Sequence, residues 1–205
     1  DCKFCATSKL KRIRNLNPDE IFDQASTINL QSKFYYNRPI SNIVFMGMGE
    51  PLLNYINLIE GINKITRKDG LGMSPKRITV STSGISKLII KMADENVKFN
   101  LAVSLHSAVE KTRNKIMPFT IKFPLTDLKE AIKYWYNKTQ KIVTYEYIVW
   151  KGINDDMNHI NALVDFCKSS PSKVNIIEYN KTSNDFFISA DDSIIKKYIE
   201  ELDRI

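Results

Sequence analysis

Short apolar runs alternate with helical patterns along the chain. Runs of strand length lie at residues 42–46, 77–81, 99–105, 143–150 and 173–179. Apolar residues at helical spacing lie at residues 18–34, 58–69, 86–95, 110–116, 125–139, 158–168 and 192–204. Because strands that alternate with helices form parallel sheets covered by helices, the pattern predicts an α/β fold with five strands. That number is too small for a closed eight-stranded barrel.

The first helix has a clear start signal. Asn17 suits the N-cap, Pro18 suits the first helical position, and Asp19 and Glu20 bring negative charge to the first turn. The chain has 205 residues and 43% hydrophobic residues, which is enough for one domain with a sizeable core. We therefore expect a single domain.

No apolar run approaches the length of roughly 20 residues that spans a bilayer, and the N-terminus lacks the pattern of a signal peptide. We expect a soluble, cytoplasmic protein without a membrane partner. The chain has only three cysteines, which do not make a disulfide framework.

The net charge is +7, from 30 Lys and Arg against 23 Asp and Glu. This excess suits a nucleic-acid partner, although a solvated basic surface explains it equally well. A basic cluster near the N-terminus is more specific, since it could bind phosphates beside the cysteine pair. The cluster consists of Lys9, Lys11, Arg12 and Arg14.

Polar residues follow each predicted strand. Ligands of parallel α/β folds bind at the carboxyl ends of the strands, so these loops predict a polar pocket. The loops are residues 47–51, 81–84, 104–107, 150–154 and 178–180.

The first of these loops, Gly-Met-Gly-Glu-Pro at 47–51, lacks the third glycine of a dinucleotide fingerprint and the Gly-Lys-Ser/Thr of a phosphate loop. Glu50 would suit a hydroxyl or an ammonium group. The alternative is an ordinary turn in which Glu50 caps the following helix.

Two of these loops, residues 81–84 and 104–107, contain serine and threonine hydroxyls and the imidazole of His106. A hydrolase would use one of their serines as nucleophile with His106 as base, but the chain lacks the Gly-x-Ser-x-Gly motif and has only two histidines. We therefore favour hydrogen-bonding roles. We expect His159 at the surface or at a helix cap, and Cys167 in the core.

Cys2 and Cys5 allow three interpretations. A redox pair needs a strand before it, and a zinc site needs further ligands. An iron-sulfur cluster on three thiolates would leave one iron open for a small molecule, but it requires one more cysteine. These residues alone leave all three interpretations open.

Several motifs, in order, carry a resemblance to a known family. They are CKFCAT at residues 2–7, FMGMGEPLLN at 45–54, KRITVSTSG at 76–84, VSLH at 103–106, TYEY at 144–147, GIND at 152–155 and VNIIEYN at 174–180. With them the chain resembles, over almost its whole length, the radical S-adenosylmethionine (SAM) adenine-C2 methyltransferases of the RlmN type. These enzymes methylate 23S ribosomal RNA and certain transfer RNAs.

The resemblance implies a partial (β/α)6 barrel whose first strand lies outside the chain. It makes residues 1–205 the radical SAM core domain, without the accessory N-terminal region and the C-terminal end of the family. Cys2 and Cys5 would be the last two cysteines of a Cys-x3-Cys-x2-Cys motif that holds a [4Fe–4S] cluster, and the first would precede Asp1. The residues implied for S-adenosylmethionine binding are Phe4, Gly49, Glu50, Ser81, Ser104, Leu105, His106 and Asn180.

The resemblance also implies a radical reaction, because C2 of adenine has no lone pair that could attack a sulfonium methyl. In the family a methylated cysteine supplies the carbon, and a second cysteine and a general-base glutamate complete the reaction. We expect these groups outside the chain, so no catalytic residue is assigned within it and the chain alone should be inactive. The implied partners are 23S rRNA, tRNA and a flavodoxin- or ferredoxin-like electron donor, and we expect a monomer.

The chain departs from the family at two places. Ser8, Lys11 and Arg12 stand in a stretch where glycines and a Phe are usual, and Lys181 replaces a Pro after Asn180. Three alternatives stay open. They are a Cfr-type enzyme that methylates adenine C8, another radical SAM enzyme, and a non-enzymatic RNA-binding or zinc-binding protein.

Overall fold

The computed structural model of the chain describes residues 2–181 and 186–205. Within them, five strands form a sheet, as the apolar pattern predicts, and they follow one another in it in chain order. The strands are β1 (Ile43–Phe45), β2 (Ile78–Thr82), β3 (Asn100–Ser104), β4 (Val143–Ile148) and β5 (Ser172–Ile177). The helices are α1 (Pro18–Tyr36), α2 (Tyr55–Thr66), α3 (Ser86–Asp94), α4 (Glu110–Ile116), α5 (Leu125–Thr139), α6 (Met157–Cys167) and α7 (Asp192–Leu202). The α/β class is thereby confirmed.

Short 3-10 helices, which the periodicity does not predict, lie between several of these elements. Three of them begin at a proline, whose fixed φ angle suits a first helical position. The four segments are Ala6–Lys9, Pro51–Asn54, Pro75–Arg77 and Pro118–Lys122.

The residues divide into two compact units. The larger unit contains Asp1–Leu10, Ser83–Val97 and Ala102–Ile205, and the smaller unit contains Lys11–Thr82 and Lys98–Leu101. Strand β3 therefore contributes residues to both.

The smaller unit contains β1, β2, α1 and α2. Helix α1 begins with a capping box, in which the Glu20 backbone N–H donates to Asn17 Oδ1 and the Asn17 N–H donates to Glu20 Oε2, each at 2.9 Å. It packs against α2 at Gly61, where a Cβ atom would lie 2.6 Å from Ile21 Cγ2. Strands β1 and β2 pair in parallel, with Phe45 opposite Val80.

The larger unit contains the end of β3, residues 102–104, and the parallel strands β4 and β5. Val103 pairs with Tyr145, which pairs with Val174 on its other side. Helix α3 packs against α5, and fully buried Trp135 and Leu163 belong to the core of this unit.

Strand β4 ends at Ile148, two residues before the predicted end. The Trp150 N–H donates to the side-chain Oδ1 of Asn154 at 2.7 Å, which turns the chain away from the sheet. Trp150 instead forms an isolated antiparallel bridge with Ser189.

Candidate functional site

The N-terminal cysteines lie in a tight loop of the larger unit. The Cys5 N–H donates to the Cys2 carbonyl at 3.2 Å, and a 3-10 helix follows directly. The Ser8 hydroxyl lies 2.6 Å from the Cys2 carbonyl oxygen and 2.8 Å from that of Cys5. Ser8, a departure from the family pattern, therefore stabilises this loop.

The cysteine loop is anchored to the core of the larger unit. The Lys3 N–H donates to the carbonyl of Ile116, the last residue of α4, at 2.9 Å. Cys2 and Phe4 pack against a buried apolar cluster. That cluster consists of Ile116, Met117, Ile148 and Trp150.

Phe4, between the two cysteines, contacts residues that are distant in sequence. Its ring centroid lies 4.9 Å from that of His106, edge to face at 78°, and 4.9 Å from that of Trp150. Phe187 completes the group, at 6.2 Å from Phe4 and 5.2 Å from Trp150. The structure thus brings together two predicted residues, Phe4 and His106, and adds two aromatic residues that had no assigned role.

His106 has an unusual backbone conformation and a buried side chain. Its φ angle is +53°, in the left-handed region, and its exposed fraction is 4%. Nδ1 accepts the Ile148 backbone N–H at 3.3 Å, which leaves the proton of the neutral ring on Nε2. Burial, together with the positive charge of Arg113, lowers the pKa of His106 to about 3. Such a weak base does not suit the general-base role of the hydrolase alternative.

Asn154 connects the ends of β3 and β4. Its fully buried amide donates to the carbonyls of His106 at 2.8 Å and Ile148 at 2.9 Å. Its own backbone carbonyl accepts the Tyr198 hydroxyl at 2.6 Å. The sequence placed Asn154 in a strand-end loop but did not indicate that its amide holds His106.

The other predicted residues of the larger unit lie near this group. Ser104 ends β3 and is half-buried, and Leu105 is fully buried with its N–H bonded to the Glu146 carbonyl at 3.0 Å. Asn180 is exposed after β5. Its neighbour Tyr179 reaches the aromatic group through Trp150, at 5.9 Å between ring centroids.

The predicted residues of the smaller unit lie at one end of its strand pair. Gly49 and Glu50 follow β1, and Ser81 follows Val80, the β2 partner of Phe45. Gly49 is exposed with φ +121°, a conformation that favours glycine. Glu50 Oε1 accepts the Leu52 N–H at 3.1 Å, so this carboxylate does cap the short helix that follows.

His159 corrects one expectation, since it lies buried and not at the surface. Its exposed fraction is 7%, and its ring bridges the hydroxyl of Thr112 at 3.0 Å and the carboxylate of Asp156 at 2.8 Å. The cap of α6 is Asp156, whose side chain accepts the His159 N–H. Cys167 lies in the core as predicted, and burial raises its pKa to about 11.

Cys2 and Cys5 are half-buried thiols, and neither forms a disulfide. In residues 2–181 and 186–205, no three or more His, Cys, Asp or Glu side chains are grouped so that they could hold a metal ion. Thiolates suit both iron-sulfur and zinc sites, so these two fit part of either ligand set. Of the helices in the described segments, none has the length and apolar character that a membrane span requires.

The sequence model of the Radical SAM superfamily matches residues 1–164 of this chain. A protein of Flavobacterium psychrophilum named "Probable dual-specificity RNA methyltransferase RlmN" is 63% identical over 99% of this chain and 58% of its own length. A Thermus thermophilus protein of the same name is 37% identical over 100% of this chain and 57% of its own length. The chain thus spans a little over half the length of these relatives.

Solved structures show the same fold. A radical SAM methyltransferase from Sphaerobacter thermophilus superposes with a TM-score of 0.95 at 30% identity, over 99% of this chain and 59% of that one. A domain of a pyruvate-formate lyase-activating enzyme from Bacteroides vulgatus shares the fold with a TM-score of 0.59 at 17% identity, over 80% of this chain and 94% of that one. By the family match, its cysteine loop and its α/β fold, the chain belongs to the radical SAM superfamily.

Proposed function

We propose that residues 1–205 form the core domain of an RlmN-type RNA methyltransferase that methylates C2 of adenosine in 23S rRNA and tRNA. Similarity over the whole chain to proteins with that name supports the proposal. The observation that carries it is the edge-to-face contact of Phe4 with His106, at 4.9 Å between ring centroids. This contact joins the cysteine loop to the loop after β3, so a metal centre and a cofactor would be neighbours.

Cys2 and Cys5 would provide two of the thiolates that hold a [4Fe–4S] cluster. When bound, the cluster supplies the electron that cleaves S-adenosylmethionine. The half-buried, Ser8-braced loop orients both sulfur atoms from a rigid backbone. Its attachment to α4 through Lys3 limits the movement of the loop.

The cofactor itself would be held by groups of complementary chemistry. Phe4 offers an aromatic face to the adenine, and neutral His106 offers an Nε2–H donor without adding positive charge beside the sulfonium. The flexible backbone of Gly49 and the carboxylate of Glu50 suit the amino end of the methionyl group. The remaining proposed contacts are Ser81, Ser104, Leu105 and Asn180.

RNA, as the proposed substrate, suits the net charge of +7. Among the basic residues near the cysteines in sequence, Arg14 forms an ion pair with Glu20 at 2.5 Å, whereas Arg12 donates to the neutral amide of Asn15 at 2.8 Å. Lys11 and Arg12 are exposed and lie in the segment that departs from the family. We therefore assign RNA phosphate contacts first to Lys11 and Arg12. A flavodoxin- or ferredoxin-like donor, a monomeric state and a cytoplasmic location complete the proposal.

Metal analysis of the full-length protein, purified without oxygen, tests the proposed cofactor. We expect about four iron atoms per chain and the broad visible absorbance of a cluster. Cys2→Ser and Cys5→Ser should lose most of the iron, while Cys167→Ala, which removes a core thiol, should retain it. Zinc without iron would contradict the proposal.

Mass spectrometry of RNA after reaction tests the proposed product. The full-length protein with S-adenosylmethionine and a reductant should form 2-methyladenosine. Formation of 8-methyladenosine would assign the protein to the C8 enzymes instead. The double variant Lys11→Ala/Arg12→Ala should bind RNA several-fold more weakly at low salt, with Lys168→Ala/Lys173→Ala as a control of equal charge.

A further inference from the structure

Arg113, on α4, is a charged side chain in the interior of the larger unit. Its exposed fraction is 0%. Burial lowers the pKa of its guanidinium to about 10, so the group stays cationic at neutral pH. A buried charge is costly unless an opposite charge accompanies it.

No ion pair of the described segments includes Arg113. The Glu110 carboxylate, one turn earlier, raises the pKa of Arg113, and Cys2 does so to a smaller extent. The Glu110 carboxylate is engaged elsewhere, since it accepts the Leu125 N–H at 2.8 Å and the Asn114 amide at 3.3 Å. Within the described segments, the buried cation therefore has only neutral hydrogen-bond partners, and Glu110 acts on it without forming an ion pair.

Two nitrogens of the guanidinium hold the strand-end loops. Nη2 donates to the carbonyl of Ser83 at 2.6 Å and, less closely, to that of Ser104 at 3.4 Å. Nε donates to the carbonyl of Leu105 at 3.2 Å. Nη1 is buried and has no hydrogen-bond partner within the protein segments that the structure describes. An unsatisfied buried donor of a charged group is rare and indicates a partner that the protein chain does not supply.

The cysteine loop lies at the end of the same helix. Lys3 is bonded to the carbonyl of Ile116, and Cys2 packs against the cluster that contains Ile116, three residues after Arg113. A negative charge at Cys2 raises the pKa of Arg113, which is consistent with this proximity. A thiolate at Cys2 is thus a second anion for this cation, beside Glu110, and it lies where the cysteine loop meets α4.

We propose that Arg113 is the cationic partner of Cys2, and that its Nη1 group stabilises the negative charge of this thiolate when the sulfur binds iron. The proposal rests on the proposed function, which makes Cys2 a cluster ligand. It assigns Arg113 a positioning role. The same guanidinium then binds the loop after β3 and provides a positive charge near the cluster. A cation at this place favours the reduced, more negative cluster.

The midpoint potential of the cluster in the full-length protein tests this role. Arg113→Met should lower the potential by at least about 59 mV, which corresponds to a tenfold change in a one-electron equilibrium. Arg113→Lys keeps the charge without the planar group and should recover most of the shift. Lys115→Met, which removes an exposed charge from the same helix, is the matched control and should leave the potential unchanged.

A folded Arg113→Met variant with the wild-type potential would overturn the proposal, and so would weaker cofactor binding without any change of potential. The wild-type protein gives a second measurement, which does not depend on whether that variant folds. Electron–nuclear double resonance of the reduced protein, labelled with ¹⁵N-arginine, should show a coupling that Arg113→Lys abolishes. A reduced cluster without that coupling contradicts the inference alone, whereas a wild-type protein without iron contradicts the proposed function.

Discussion

The side-chain amide of Asn154 donates a hydrogen bond of 2.8 Å to the backbone carbonyl of His106. His106 has a left-handed backbone, which costs a residue other than glycine roughly 1–2 kcal/mol. The hydrogen bonds of Asn154 and the packing of Phe4 offset this cost. The conformation of the proposed cofactor loop therefore depends on Asn154, which lies far from the cysteines and from Phe4 in the sequence.

Replacement of Asn154 by alanine should lower the free energy of unfolding by about 3 kcal/mol. The substitution leaves two buried carbonyls and the Trp150 N–H without partners, and each such group costs about 1–3 kcal/mol. Urea denaturation measures the change. Asn137→Ala, at an exposed position of α5, should stay within about 0.5 kcal/mol of the wild type. A loss below 1 kcal/mol in Asn154→Ala would show that water replaces these bonds.

The stability of the protein should fall in acid because of His106. Its folded-state pKa of about 3 lies below the ordinary value of 6.5, so between these values the unfolded chain binds a proton that the folded chain does not. Stability is therefore lost as the pH falls below 6.5, at up to about 1.4 kcal/mol per pH unit, and the loss levels off near pH 3.

Urea denaturation of wild type and His106→Gln at several pH values measures this contribution. Between pH 6.5 and 4.5 the wild type should lose about 2.5 kcal/mol more than the variant, which cannot take up that proton. Parallel pH dependences of stability in the two proteins would mean that folding does not lower the pKa of His106. Because other groups titrate equally in both proteins, the difference reports His106 alone.

Truncation of Phe4 to alanine should weaken S-adenosylmethionine binding about tenfold in the cluster-loaded, full-length protein. An aromatic contact of Phe4 with the adenine would contribute about 0.5–1.5 kcal/mol to binding, and the contacts with His106 and Trp150 hold the ring in place. Isothermal titration calorimetry measures the affinity. Phe186→Ala, at a side chain with 99% exposure, should bind the cofactor like the wild type. Equal losses in both variants would contradict a specific role of Phe4.

Alanine at Gly84 should destabilise the protein by about 2 kcal/mol or more. Gly84 has φ +100°, and an added Cβ would lie 3.1 Å from both terminal methyl groups of Leu128. Gly72→Ala is the control, because Gly72 has φ +61° but open space around it, so that only the backbone cost of about 1 kcal/mol applies. Thermal and urea denaturation compare the two variants. A smaller loss at Gly84 than at Gly72 would contradict the importance of the contact with Leu128.

The sequence predicted the elements better than the environments of single residues. Helices α4 and α5 begin and end where the apolar spacing indicates, because amphipathic periodicity is a local property of the chain. His159 shows the limit of this approach. Its ring contacts Thr112, which lies on α4 and is distant in the chain, and no local pattern reports such a contact.

The candidate site shows the same division. The cysteine spacing, the Gly-Met-Gly-Glu-Pro loop and the polar strand ends were visible in the sequence, because each is a short stretch with its own chemistry. The sequence could not assign a role to Trp150 and Phe187, since an aromatic residue that lines a site looks the same in a sequence as one that packs in a core.

The sequence by itself determined the α/β class, the order of the elements and the residue types able to bind a metal and a cofactor. Only the tertiary structure decided that Phe4 meets His106, that Asn154 holds His106, and that Arg113 lies buried with no partner for its Nη1 in the described segments. The physical reason is the distance along the chain over which each effect acts. Periodicity and turn chemistry act between neighbours in the chain, whereas the pKa of a buried group and the direction of a side chain depend on close packing between distant segments.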